Sequence, residues 1–155
     1  MISAFAKHGH FDVVLRCTGD LHIDDHHTAE DSALALGEAI DTALGSRRSI
    51  RRWGLACCPL DEALARAVID ISSRPFAAVT LGLVRDAIGG LSAEMATHVL
   101  ISLAQTARIT LHVDVLKGAN DHHRVEAAFK ATGVALREAV SHDSGGGVPS
   151  TKGVL

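Results

Sequence analysis

Asp24-Asp25-His26-His27-Thr28-Ala29-Glu30-Asp31 decides how this chain reads, because the pattern occurs twice. Ninety-six positions after His26, at His122, it returns as Asn120-Asp121-His122-His123-Arg124-Val125-Glu126. Without a gap, Asp25, His26, His27 and Glu30 fall on Asp121, His122, His123 and Glu126, and Gly37 falls on Gly133. Ala35 and Ala39 fall on Ala131 and Ala135. A chain that opens a helical stretch with His-His-x-x-Glu in both halves is expected to be a duplicated fold carrying duplicated metal sites.

Helix geometry constrains how those ligands are used. Positions three and four apart share a face and adjacent positions do not, so Glu30 joins His26 or His27 but not both on one ion. Each half then feeds two different ions, or one ion within the subunit and one shared with a neighbour. Imidazole and carboxylate donors without thiolate suit Mn, Fe, Zn or Ni. The competing interpretation is a pair of polar helix caps through Asp24, Asp25 or Thr28. Recurrence in register weighs against it, since a cap needs an Asp and not a pair of histidines.

The 155 residues suffice for one domain or two tightly packed halves. Aromatic residues make up 3% and tyrosine is absent, so the core must be built from Ala, Val, Leu and Ile. A formal charge of −3 argues against nonspecific nucleic-acid binding. No apolar run is long enough to span a membrane, and no signal peptide is visible. Three cysteines (Cys17, Cys57 and Cys58) without a C-x-x-C pattern fit free thiols in a reducing, cytoplasmic setting. Adjacent Cys57 and Cys58 are expected to fill strand positions.

Along the chain, Met1–Lys7 reads as the tail of a helix and Phe11–Cys17 as a strand. Thr28–Leu44 is a helix with Ala33, Leu36, Ala39, Ile40 and Ala43 on one side, ended by Gly45. Strands are expected at Ile50–Cys58, Leu64–Ser72 and Phe76–Val84, with Ala65, Ala67, Ile69 and Ile71 facing inward. Ser92–Ala107 reads as a helix, Ile109–Leu116 as a strand and Val125–Val140 as the last helix. The tail from Ser144 is too glycine-rich for regular structure. The class is α+β, divided as a first half-repeat over residues 1–90 and a second over 91–155. His98, on the apolar helix of Met95, Val99 and Leu103, would be unremarkable without the repeat.

Several segments closely resemble imidazoleglycerol-phosphate dehydratase of histidine biosynthesis. They are Gly19–Asp31, Pro59–Arg66, Ser72-Ser73-Arg74-Pro75, Asp121–Lys130 and Val148–Leu155. The resemblance implies two related half-repeats with mixed four-stranded sheets sandwiching a helical layer, a ribosomal protein S5 domain 2-like fold. It implies trimers assembled into 24-subunit shells, with two Mn(2+) per active site lying between subunits, other divalent transition metals being possible. The family's ligand positions are held by His26, His27, Glu30, His98, His122, His123 and Glu126. Its phosphate-binding positions are held by Arg52, Arg74, Ser150 and Lys152, and Asp61 with Glu62 would orient ligands. Arg47, Arg48 and Arg51 are expected to be a solvated basic turn. The first-half counterpart of His98 would lie just upstream of Met1, so the chain is expected to be a fragment lacking that ligand, the first strands and an acidic residue near the substrate.

The activity implied is loss of water from imidazole glycerol phosphate to give imidazole acetol phosphate. Two ions on the two ring nitrogens would make the imidazole an electron sink. Glu30 or Glu126 would move a proton. A catalytically impaired, metal-clipped assembly protein of the same fold is the alternative, and a di-metal hydrolase a third possibility. Arg52, Arg74 and Lys152 favour a phosphorylated small molecule over pure scaffolding, and the lack of an aspartate-rich pocket argues against hydrolysis.

Overall fold

The computed structural model describes residues 1–155. Its elements are α1 (Ile2–Gly9), α2 (His26–Leu44), β1 (Trp53–Leu60), β2 (Ala63–Asp70), β3 (Phe76–Thr80), β4 (Ala87–Ile88), β5 (Leu91–Ser92), α3 (Ala93–Thr106), β6 (Thr110–Lys117) and α4 (Asp121–Val140). The class is α+β, with four helices and one four-stranded mixed sheet ordered β1-β2-β6-β3. β1 and β2 form an antiparallel hairpin, β6 runs antiparallel to β2, and β3 closes the edge parallel to β6. A small β4–β5 hairpin, not foreseen in the sequence, precedes α3.

The period-two pattern of β2 does what alternation dictates. Ala63, Ala65, Ala67 and Ile69 are buried, while Arg66 and Val68 face out. α4 covers the inner face, and Gly54 of β1 lets it approach closely. A β-carbon at Gly54 would stand 1.9 Å from the Ala135 carbonyl oxygen. Gly37 and Gly133, equivalent in the repeat, serve equivalent crossings. A β-carbon at Gly37 would meet the Leu103 carbonyl oxygen of α3 at 2.6 Å, and one at Gly133 would meet the Phe5 carbonyl oxygen of α1 at 2.3 Å. So α2 packs on α3 and α4 on α1, each through a glycine that carries no side chain to hold the pair apart.

Two expectations change here. First, Phe11–Cys17 forms no strand. No neighbouring segment pairs with it, and a strand is defined by its ladder, whatever its propensity. Second, the predicted stripe on α2 is only partly covered. Ala33 and Leu36 are buried, but Ala39 and Ala43 are exposed. The sheet draws strands from both sides of residue 90. β6 lies between β2 and β3, and one continuous core joins Ala33, Ala65 and Ile69 with Leu103, Leu111 and Ala135. The repeat is carried instead by α2 and α4. No helix is long and apolar enough to cross a membrane.

Candidate metal centre

Both copies of the motif sit at a helix start, and the first turn distributes their side chains in the same way. Asp25 and Asp121 point back to anchor a loop. The Asp25 carboxylate accepts from the Ser92 backbone N–H at 2.6 Å and from its hydroxyl at 3.0 Å. Asp121, almost fully buried, accepts from the N–H groups of Val84 at 2.8 Å and Arg85 at 2.7 Å. These N–H donors hold both carboxyls below the usual carboxylate range. The expected caps are therefore reassigned. Asp25 occupies the N-cap of α2 without capping through its side chain, while Asp24 accepts from the His26 N–H at 2.9 Å. At α4 the cap is Asn120, whose side chain accepts from the His122 N–H.

Four residues on, each first histidine meets its glutamate. His26 Nε2 lies 3.4 Å from Glu30 Oε2, and His122 Nε2 lies 3.2 Å from Glu126 Oε2. Each second histidine turns away, with ring planes at 83° and 80° to its neighbour's. It turns toward a carboxylate supplied by another segment. His27 Nδ1 lies 2.8 Å from Asp20, and His123 Nδ1 lies 2.7 Å from Glu62. Glu62 sits in the two-residue turn between β1 and β2, next to Asp61 at φ 48°. Asp61 itself is 4.0 Å from His123 Nε2 and 75% exposed, so Glu62 makes the close contact. Asp20 had no assigned role in the sequence. Its only signal was its place in the Gly19–Asp31 segment, since nothing in residue spacing predicts a contact across a turn.

His98 completes the first-half cluster. From α3 its Nε2 comes to 2.9 Å from Glu30 Oε1, with its ring centroid 5.1 Å from that of His26. One donor atom each from His26, Glu30 and His98 lie within 4.8 Å of one another. Two imidazoles and one carboxylate, part-exposed and able to converge on a point, suit a divalent transition metal. His98 lowers the Glu30 carboxyl from its ordinary value, with a smaller push from His26. No third donor joins His122 and Glu126 within this chain. Instead the Lys130 ammonium lies 2.8 Å from Glu126 and lowers that carboxyl.

Arg52 and Arg74 lie beside Asp70 at the end of β2. Arg52 grips Asp70 with two bonds, Nε to Oδ1 at 2.6 Å and a terminal nitrogen to Oδ2 at 3.1 Å. Its other nitrogen donates to the Pro149 carbonyl at 2.8 Å, which ties the glycine-rich tail to the sheet. The same guanidinium stacks 4.5 Å over Trp53. Arg74, 69% exposed, reaches Asp70 only at 3.7 Å. In the tail, the Ser150 hydroxyl accepts from the Lys152 N–H at 3.2 Å, and the Lys152 side chain is exposed. The solvated basic turn needs correcting at Arg47. It is buried, paired with Asp41, and donates to Ser73 and to the Ala107 and Arg108 carbonyls. Having acceptors for several of its N–H groups, one of them a carboxylate, is what makes its burial tolerable.

Fold and site together define a repeat-built α+β protein whose two equivalent helix starts carry imidazole–carboxylate clusters. The sequence profile described as imidazoleglycerol-phosphate dehydratase matches residues 1–136, and the chain belongs to that family. Proteins of that name from Phytophthora nicotianae and Pyricularia oryzae are 63% and 61% identical to the whole chain. The chain spans 34% of the first and 70% of the second. A crystal structure of the dehydratase from Staphylococcus aureus superposes with a TM-score of 0.84 at 30% identity, covering 91% of this chain and 80% of that one.

Proposed function

We propose that this chain provides the dehydrating centre of an imidazoleglycerol-phosphate dehydratase, a hydro-lyase that removes water from imidazole glycerol phosphate to give imidazole acetol phosphate. The observation that carries the proposal is the convergence of His26, Glu30 and His98 at the start of a motif that recurs at His122 and Glu126. His26, Glu30 and His98 would hold one manganese or similar divalent ion, and His27, His122, His123 and Glu126 would contribute the remaining ligands. Such ions would act as Lewis acids on the substrate's imidazole and as a template for its orientation.

The chain's own groups supply the rest. Glu30 and Glu126 both have lowered carboxyls, which keeps them ionised, the form that holds a metal, and either is placed to move a proton. Arg74 and Lys152 offer exposed positive charge to a phosphate, with Arg52 tying the tail that carries Ser150 and Lys152 to the sheet edge. His27, 64% exposed and turned away from its own cluster, is free to complete a site with a neighbouring copy, and the assembly proposed is the trimer-built 24-subunit shell. Phosphate-binding residues favour this over a metal-clipped scaffold without catalysis.

The test combines manganese calorimetry with an assay on imidazole glycerol phosphate. The unaltered protein should bind manganese and turn over, and Glu126→Gln, which removes one carboxylate from both the ligand set and proton transfer, should lower manganese affinity and lose about 10²- to 10⁴-fold in turnover, the usual worth of a proton-transfer group. Full activity in Glu126→Gln would remove that residue from the mechanism. Failure of the unaltered protein to bind manganese would remove the site.

A further inference from the structure

Two histidines in the proposed centre are held from behind, and the two holds differ. Glu62 makes three polar contacts, two of them with backbone N–H donors whose direction is fixed. Its Oε1 takes the N–H groups of Ala119 at 3.0 Å and Asn120 at 2.8 Å, while its Oε2 faces His123 Nδ1 at 2.7 Å. Asp20 faces His27 Nδ1 at 2.8 Å, but no N–H from another segment fixes its second oxygen.

We infer that Glu62 is a positioning residue that locks His123 in the tautomer protonated on Nδ1, leaving Nε2 as its ligand atom, and that Asp20 holds His27 by a weaker, adjustable form of the same contact. This rests on the metal-site reading above. An ionised carboxylate only accepts, so the shared proton must sit on Nδ1 and the lone pair on Nε2. A carboxylate behind a ligating imidazole also fixes the ring's direction.

The anchoring makes a specific consequence follow from a nearly isosteric change. In Glu62→Gln, two backbone N–H donors require an acceptor at the Oε1 position, so the amide oxygen is held there. The NH₂ group is left facing His123 Nδ1. Nδ1 must then accept, the proton moves to Nε2, and the ligand atom is blocked. In Asp20→Asn the amide is free to turn and keep its oxygen on His27 Nδ1, so nothing comparable happens.

The experiment reads tautomers directly. Long-range proton–nitrogen NMR on ¹⁵N-histidine-labelled, metal-free protein at alkaline pH, with His123→Gln for assignment, should show His123 protonated on Nδ1. Glu62→Gln should show it protonated on Nε2, with manganese affinity down about 10- to 100-fold, the usual cost of losing such a support. Asp20→Asn should leave the His27 tautomer and the affinity close to those of the unaltered protein. An unchanged His123 tautomer in Glu62→Gln, or unchanged affinity, would overturn the inference. If the unaltered protein bound no manganese, the metal reading would fail while the tautomer comparison still judged this one. Should Glu62→Gln not fold, Glu62→Ala with added acetate replaces it. Recovery of affinity with acetate supports the role, and no recovery refutes it.

Discussion

The start of α2 and the start of α4 spell nearly the same chemistry and live in different surroundings. Within the first turn they agree. An aspartate holds backbone N–H groups, the first histidine meets a glutamate four residues on, and the second histidine meets a carboxylate from elsewhere. Beyond that turn they part. Glu30 gains His98 from α3, whereas Glu126 gains Lys130 from its own helix. Ala131, Ala135 and Ala139 of α4 are fully buried, while their repeat counterparts Ala35, Ala39 and Ala43 are exposed on α2. The histidine–glutamate pair four residues apart is set by helix geometry and is copied by the repeat. What lies across the fold depends on which elements arrive there.

The sharpest test of that division is a pair of leucines at equivalent positions. Leu111 lies fully buried on β6 between two strands, and Leu15 sits 36% exposed on a segment with no partner strand. Leu111→Ala is expected to cost about 2–5 kcal/mol in urea unfolding, and Leu15→Ala about 0.5 kcal/mol or less. Equal costs would mean that residues 11–17 are packed as β6 is.

Next in size are the loop anchors. Asp121→Ala leaves the Val84 and Arg85 N–H groups without their acceptor and should lose about 1–3 kcal/mol. Asp25→Ala orphans one N–H, since the Ser92 hydroxyl is free to rotate, and should lose less by the same measurement. The reverse order would contradict the geometry.

The smallest effect is in pH. His123 and the N–H groups of Asn120 and Ala119 pull the Glu62 carboxyl from 4.5 down to about 2. Its contribution is therefore complete above pH 4.5 and lost as pH falls toward about 2. Asp20 raises His27 above its ordinary 6.5, so that contribution is present below 6.5 and lost as pH rises through the raised value. In the metal-free protein, unfolding midpoints against pH should lose their acid-side slope in Glu62→Gln and their alkaline-side slope in His27→Gln. Interchanged slopes would reverse the assignment of the two contacts.

By itself the sequence determined what repeats locally. The helices, the inward face of β2 and the His–Glu pairs were all legible, because each depends on spacing along one element. The role of Gly37 and Gly133 at matching helix crossings was half-legible, as a coincidence in the repeat without its cause. Tertiary structure alone decided the rest. Glu62 comes to His123, Arg47 to its buried acceptors and His98 to Glu30 through contacts that span the chain, and Asp20 comes to His27 across a turn. Residues 11–17 and 107–113 are equivalent in the repeat, yet only the second contributes to a strand. A ladder needs a neighbour to satisfy its N–H and C=O groups, and only β6 has neighbours, β2 and β3, beside it.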